Sequence, residues 1–527
     1  MYDLMIKNAR IIDGTGAPWT LGDVAVQDGK IAAVGSVSGA AKAVVDAGQR
    51  YLTPGFIDIH SHSDGEILRC PTAESRILQG VTTDVGGNCG SSVAPSEQYP
   101  AMADYLAQVE QARPSINSAT LVGHGTIRNA VMGYSRAEAT AQEIEQMRKL
   151  TAQAMEEGAY GISTGLIYPP SCYSTTEELV QVVNAVQPYG GYYATHMRNE
   201  SYDLVKSVEE ALHVAKEAGV RLQISHHKCT CKADWQVSVK TTIAMIQRAR
   251  RQGLDVTCDQ YPYSASATSM SSNVPAWAFE GGVEAMLQRL QDPETRARLR
   301  EESNASHVGR WGDIYVSYLY SPENQWMIGK SITEIAEKLG GKDPADTCFD
   351  IVLAEKNHVG EVNFGMCEED IEYIMAQPFV MPGSDGEAKG LDAPGKPHPR
   401  NYGTFVRYLA HYSRDRGVLP LETAVQHMTS LPASRIGLAD RGLIKAGMWA
   451  DLVLFELEKL KDDPDYGNPQ QACSGICQVY VNGVLTAENG RHTGARAGQV
   501  LRISLCTEVL CKGRYDRFHQ GLSFKLS

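Results

Sequence analysis

The chain of 527 residues predicts an α/β fold: a TIM-like (β/α)8 barrel, a flanking small β-sandwich built from N- and C-terminal strands, and an insertion over one face of the barrel. Three observations predict it. Helix–Gly/Pro–strand units follow one another through the middle of the chain, and such units give parallel strands joined by right-handed crossovers. Short alternating strands with turn residues occupy both ends. Ligand-type side chains recur where the central strands stop, and a closed barrel gathers all its C-terminal strand ends on one face, whereas an open doubly wound sheet gathers only some.

Residues 1–55 hold the strand-like runs DLMIKNARII, DVAVQDGKIAAVG and KAVVDAGQRYL, with hairpin signals at DGT 13–15 and DGK 28–30. With residues 440–502, where GLIKAGMWADLVLFE and QVYVNGVLTAENG alternate again, they are expected to form the small β-sandwich domain. The barrel is expected over 56–439. Helical spacing marks 142–157, capped by Gly158; 177–187, stopped by Pro188; 202–218, ended by Gly219; and 239–251, ended by Gly253. Each leads into a strand: AYGIST, YYATH, VRLQISHH and LDVTCDQYPY. Residues 270–345 break the rhythm and read as the insertion. The tail, 503–527, has no place in the plan.

A 43% hydrophobic composition supports a large core. The formal net charge of −13 leaves no basic footprint for nucleic acid. No apolar run is long enough to suggest a membrane span, and Met1 leads straight into a strand-like run rather than a leader pattern. The 12 cysteines, scattered along the chain, read as reduced thiols. Together these features point to a soluble cytoplasmic protein.

The organising stretch is Pro54–Asp64, PGFIDIHSHSD, where a buried strand runs into His60 and His62. Period-2 alternation puts both imidazoles on one face, able to share a metal ion. Alone, such a pair occurs by chance in many proteins. Cys89 (in VGGNCGSS), His196, His226 and Asp385 (in MPGSDGE) occupy the same relative place in later units, which favours a metal site for the set; His124 is a further polar residue at a strand end, outside the ligand candidates. A strand-end histidine otherwise satisfies loop backbone, and SDG is a common turn. A thiolate ligand suits Zn²⁺ better than Mg²⁺ or Ca²⁺. Asp385 could take a proton from an activated water and pass it to a leaving nitrogen. Lys228 and Arg400 are cations near the same face, and a bidentate arginine suits a substrate carboxylate. Cys229 and Cys231 read as ordinary thiols, because a closed structural zinc site needs four ligands.

The stretches PGFIDIHSHSD, GVTTDVGGNCGSS, GYYATHMRNE, QISHHK, DQYPY, MPGSDG, HPRNYGTF and KAGMWADLVLF resemble the amidohydrolase superfamily and, within it, the D-aminoacylase (N-acyl-D-amino-acid deacylase) family. The resemblance spans about residues 1–500. GNCG stands where many relatives use a carboxylated lysine, and SHHK and HPR are specific to the deacylase branch. The resemblance implies a zinc-dependent hydrolase of N-acyl-D-amino acids with Cys89, His196 and His226 on a tight zinc. It implies His60 and His62 at a second, weaker site shared with Cys89 and Asp385. It further implies Asp385 as catalytic base, and Lys228, Tyr261 and Arg400 gripping the substrate carboxylate and polarising the scissile carbonyl. The partner expected is a small N-acyl amino acid, with neither nucleic acid nor membrane. The family pattern has a serine where Ala267 stands here, flanked by Ser266 and Thr268. The rival readings are a cyclic amidohydrolase acting on hydantoins or dihydropyrimidines, and a non-catalytic metal-binding scaffold.

Overall fold

The structure, a computed structural model, describes residues 1–504, so the tail expected at 503–527 lies outside the described residues from 505 onward. Eight parallel strands close a barrel. A three-stranded sheet (Phe56–Asp58, Val81–Gly86, Asn117–Thr120) and a six-stranded one (Val122–Gly123, Gly161–Gly165, Tyr192–His196, Arg221–Ile224, Val256–Gln260, Val380–Pro382) supply the staves. Asn117–Thr120 and Val122–Gly123 are one strand interrupted at Leu121. The ring closes between last and first strands: the Asp385 N–H donates to the His60 carbonyl (2.8 Å), and the His62 N–H to the Gly386 carbonyl (2.7 Å). The staves are buried along nearly their whole length, as strands covered on both faces must be.

The crossover helices follow from local chemistry. Ala141–Glu156 starts at Thr140, whose hydroxyl accepts the Glu143 N–H while the Glu143 carboxylate accepts the Thr140 N–H; this capping box satisfies two otherwise unpaired donors. Leu204–Ala218 stops at Gly219, which takes φ +70°, a conformation glycine adopts without strain. Thr176–Asn184 ends earlier than the expected 177–187. Pro188 disfavours helical geometry in the residue before it, and the chain passes instead into a 3₁₀ turn, Gln187–Tyr189.

The terminal strands join one nine-stranded sheet, with Leu452–Phe455 antiparallel against Tyr51–Pro54 at the junction of the two groups. Ile6, Ile11, Val26, Leu52, Leu452 and Leu454 share its core. Asp28 and Gly29 both take positive φ in the two-residue turn that DGK signals. DGT instead sits in a longer connection, where the Asp13 carboxylate accepts the Thr15 N–H.

A separate antiparallel sheet stands over the C-terminal mouth of the barrel: Ala265–Ser269 and Ile314–Tyr318 both pair with Gly360–Phe364. Its helices enclose a second core around Met286, Leu290, Phe349 and Val352. The sheet runs from 265 to 364, wider than the expected 270–345, because Ala265–Ser269 pairs with Gly360–Phe364 across almost a hundred residues and no local signal marks that pairing. Among the described residues, no helix is long and apolar enough to cross a membrane.

Candidate metal centre

Each site candidate except Arg400 stands at the C-terminal end of a barrel strand or just beyond it. His60 and His62 follow Phe56–Asp58, Cys89 follows Val81–Gly86, and His196 ends its own strand. His226 and Lys228 follow Arg221–Ile224, Tyr261 follows Val256–Gln260, Asp385 follows Val380–Pro382, and Arg400 opens the helix Arg400–Arg407. Three of them, Cys89 (φ +51°), His226 (φ +33°) and Asp385 (φ +50°), hold left-handed backbone that non-glycine residues seldom adopt. Such conformations persist where the surrounding structure dictates them, and they concentrate at functional sites.

The side chains converge on the Cys89 thiol. Its Sγ lies 3.3 Å from His60 Nε2 and 3.5 Å from His226 Nε2. Asp385 Oδ1 is 2.9 Å from His62 Nε2 and 3.3 Å from His60 Nε2. Two groups of potential ligands result, His60–His62–Cys89–Asp385 and Cys89–His196–His226, the atoms of each lying within 4.8 Å of one another. Cys89 belongs to both. His124 does not join them. It is buried with its Nδ1 2.8 Å from Ser171 Oγ and its Nε2 3.3 Å from Glu178, which also binds Arg128, so the strand-end position serves packing there.

The electrostatics fit a cation. Burial opposes charge on every member, yet the Asp259, Cys89 and Asp385 anions hold the His60 pKa well above its ordinary value. His62 is raised to about 10 and His226 to about 9, again by neighbouring anions acting against burial. Burial pushes the Cys89 thiol up, but the His60 and His226 charges outweigh it and bring the pKa well below the usual thiol range. The anions at this point therefore favour protonated rings at His60, His62 and His226, and a metal ion would supply that positive charge instead. Among the described residues neither ring nitrogen of the buried His196 has a hydrogen-bond partner, Nε2 meeting only the Glu200 carboxylate at 3.5 Å, so the ring is available as a ligand. One sulfur and several imidazole nitrogens form a donor set suited to zinc.

Two carboxylates that sequence reasoning did not single out hold the histidines in place. Asp259 Oδ1 is 2.8 Å from His60 Nδ1 and accepts the His226 N–H at 2.7 Å, while its Oδ2 accepts from Gln223 Nε2. Glu200 lies 2.8 Å from His226 Nδ1, 3.5 Å from His196 Nε2 and 2.5 Å from Lys228 Nζ. Burial would raise its pKa, but the His226 and Lys228 charges lower it. Carboxylates behind metal-ligating imidazoles fix ring orientation and tautomer. The signal available was position: both close barrel-strand segments, in THMRNE and CDQYP.

Arg400 Nη1 pairs with Asp385 Oδ2 at 2.7 Å, and its Nη2 donates to the Ala267 carbonyl at 3.0 Å. Burial favours the neutral carboxyl, but the Arg400 and His60 charges hold the Asp385 pKa well below the usual carboxylate range, so it is anionic. The Tyr261 ring has two cations near it, Lys228 Nζ 5.6 Å and the Arg400 guanidinium carbon 4.9 Å from its centroid, and among the described residues its buried hydroxyl has no hydrogen-bond partner. Cys229 and Cys231 are free and make only weak local contacts. The cluster forms the floor of a cavity of about 1480 Å³, and the inserted sheet forms the opposite wall.

Fold and site together define a class: a parallel barrel whose mouth presents a sulfur–imidazole–carboxylate cluster built for a metal cation. The chain belongs to the amidohydrolase family, whose model matches residues 43–487. It is 36% identical to a D-aminoacylase of Alcaligenes xylosoxydans xylosoxydans over 95% of this chain and 97% of that protein. It is also similar to a solved D-aminoacylase described by the functional role of its binuclear metal centre, with one-metal activation and second-metal attenuation (37% identity, 95% of this chain and 100% of that chain, TM-score 0.81). An N-acyl-D-glutamate deacylase from Bordetella bronchiseptica, solved with zinc and a phosphonate mimic of the tetrahedral intermediate, matches at 33% identity over 95% of this chain and 99% of that chain, with TM-score 0.81.

Proposed function

We propose that this protein hydrolyses the amide bond of N-acyl-D-amino acids, releasing a D-amino acid and a carboxylate, in a zinc-dependent reaction. The observation that carries the reading is the juxtaposition of the thiolate-centred cluster with an anionic aspartate and a buried trio of Lys228, Tyr261 and Arg400. Close relatives with this chain length and fold are D-amino acid deacylases, which supports the assignment.

Cys89, His196 and His226 would hold the tight zinc; His60 and His62, with Cys89 and Asp385, would hold a second, weaker one. Zinc bound there would polarise the scissile carbonyl and lower the pKa of the attacking water. Asp385, ionised at working pH, accepts that water's proton and returns it to the departing nitrogen. Arg400, Lys228 and Tyr261 take the α-carboxylate: two cations supply charge, and the unpartnered Tyr261 hydroxyl supplies a donor. Binding a carboxylate there loosens the hold of Arg400 on Asp385 and leaves the base freer to accept a proton.

The decisive experiment measures amine release from paired N-acetyl-D- and N-acetyl-L-amino acids (Met, Leu, Glu, Phe), with zinc counted on the same sample. D-selective release with about one tight zinc is expected. Release from neither series, with zinc present, rejects the reading, and hydrolysis of hydantoins or dihydropyrimidines would then replace it with the cyclic-amide alternative.

A further inference from the structure

Glu361 lies on the insertion wall of the cavity, away from the metal centre, and has no counterpart in the mechanism above. The antiparallel register sets Thr268 opposite Glu361 and Ser266 opposite Asn363, and alternation puts all four on one face of the sheet, lining the cavity. Only 2% of Glu361 is exposed. One carboxylate oxygen accepts a hydrogen bond from Asn273 Nδ2, the side chain borders the cavity, and among the described residues no basic nitrogen forms an ion pair with it. Arg310, whose charge acts on Glu361, donates through Nη2 to Asn363 Oδ1 at 3.2 Å and does not line the cavity. A buried carboxylate without a cation is costly unless something else supplies the charge. Burial accordingly pushes the Glu361 pKa up to about 8, against the lowering effects of Asn273 and Arg310.

Position relative to the reacting centre fixes which part of a substrate it meets. Arg400, a proposed carboxylate clamp, donates to the carbonyl of Ala267, and the next residue, Thr268, is the cross-strand partner of Glu361. Paired residues in such a sheet stand about 5 Å apart. The Tyr168 hydroxyl, 3.0 Å from Thr268 Oγ1, comes from a ring packed 5.1 Å from that of His196 and so bounds the same space from the metal side. Glu361 therefore faces the amino-acid half of the substrate, beyond its α-carboxylate, at the reach of a long side chain.

We infer that Glu361 selects N-acyl-D-amino acids whose side chain ends in a cationic nitrogen, such as D-lysine, D-ornithine and D-arginine, and repels acidic side chains. The inference rests on the deacylase reading and names its substrate class. An ammonium or guanidinium arriving there gives the carboxylate the partner that the protein withholds. A glutamate or aspartate side chain would bring a negative charge into a desolvated wall that offers it no cation.

The test compares kcat/KM for N-acetyl-D-lysine, N-acetyl-D-methionine and N-acetyl-D-glutamate in the zinc-loaded full-length enzyme and in Glu361→Gln, whose amide oxygen can still accept from Asn273. The wild type is expected to favour the lysine derivative by about tenfold or more, the size of one charge-assisted hydrogen bond. Glu361→Gln should erase that preference and leave the methionine derivative within about twofold. D-selective hydrolysis in which the wild type prefers methionine or glutamate overturns the inference and leaves the deacylase reading standing. An unchanged lysine-to-methionine ratio in a folded Glu361→Gln also overturns it, because Glu361 would then be structural. Hydrolysis of no N-acyl-D-amino acid defeats the deacylase reading itself. Should the variant fold poorly, competitive inhibition of the wild type by D-lysine against D-methionine decides: equal inhibition rejects the inference, and stronger inhibition by D-lysine supports it.

Discussion

At the barrel wall of the cavity, Asp385, Asp259 and Glu200 each lie within 3 Å of a histidine or basic nitrogen; at the insertion wall, Glu361 faces the same space with only the Asn273 amide. The barrel wall is a preassembled network in which every anion has a cation and the backbone is bent to match at Cys89, His226 and Asp385. The insertion wall leaves one buried carboxyl whose cationic partner would come from outside. The difference separates two tasks: chemistry needs groups that do not reorganise during reaction, whereas selection needs a group whose partner arrives with the substrate. If that division holds, substitutions on the barrel wall lower turnover for every substrate, and substitutions on the insertion wall change the ranking among substrates.

The largest effect is expected at Asp385. Asp385→Ala should abolish turnover of all N-acyl-D-amino acids while the tight zinc stays, since Cys89, His196 and His226 do not need it. A positioned general base is worth roughly 10²–10⁴-fold, and removal of the carboxylate also strips Arg400 of its partner. Substantial activity in this variant would falsify the base assignment.

Next in size is Cys89, the one residue common to both ligand groups. Cys89→Ala should remove the tight zinc as well as the weak one, whereas His62→Ala should cost only the weaker site. Metal analysis of the two variants side by side checks this; zinc retained at wild-type stoichiometry in Cys89→Ala would remove the thiolate from the centre of the site.

Much of this arrangement was legible in the sequence, for local reasons. The Thr140–Glu143 box, Gly219 and the strand-end polar residues act within a few positions of themselves, so spacing alone located the crossover units and the residues at their ends. Position at a strand end was less discriminating than it first looks. His124 meets the same criterion as His196 but turns to Ser171 and Glu178, and nothing near it in sequence shows that. Glu200 and Asp259 were missed because their role is set by which rings they meet across the barrel: Asp259 reaches His60, 199 positions away. The span of the insertion was misjudged for the same reason, its sheet being defined by pairing between distant strands. Left-handed backbone at Cys89, His226 and Asp385 is likewise a tertiary consequence with no signature in residue type.

A smaller barrel-wall effect is expected from Glu200→Gln. The neutral amide keeps the shape but removes the charge that faces His226 Nδ1 and Lys228 Nζ. Substitution of such outer partners typically costs about 10–100-fold in metal affinity or activity. Zinc titration should show weakened tight binding, with kcat/KM reduced in similar proportion for lysine, methionine and glutamate derivatives alike. A change in the ranking among them would blur the division between the two walls.

The smallest effect concerns stability and tests the insertion wall without any substrate. Burial moves the Glu361 pKa from its ordinary value near 4.5 to about 8. As pH rises through 4.5 the unfolded chain loses that proton, while the folded protein keeps it until about pH 8. The folded state therefore binds more protons over this interval, and stability falls as pH increases. Glutamine at 361 carries no such penalty. The unfolding free energy of Glu361→Gln relative to wild type should rise steadily between about pH 5 and pH 8, on the order of one kcal/mol for each pH unit, and level off above, with the melting-temperature difference following it. If Arg310 instead neutralised Glu361 in the folded state, the carboxyl pKa would be depressed. The wild type would then gain stability on the same rise in pH, and the variant would fall behind it. The slope of that one difference against pH thus reports whether Glu361 waits for a cation or already has one.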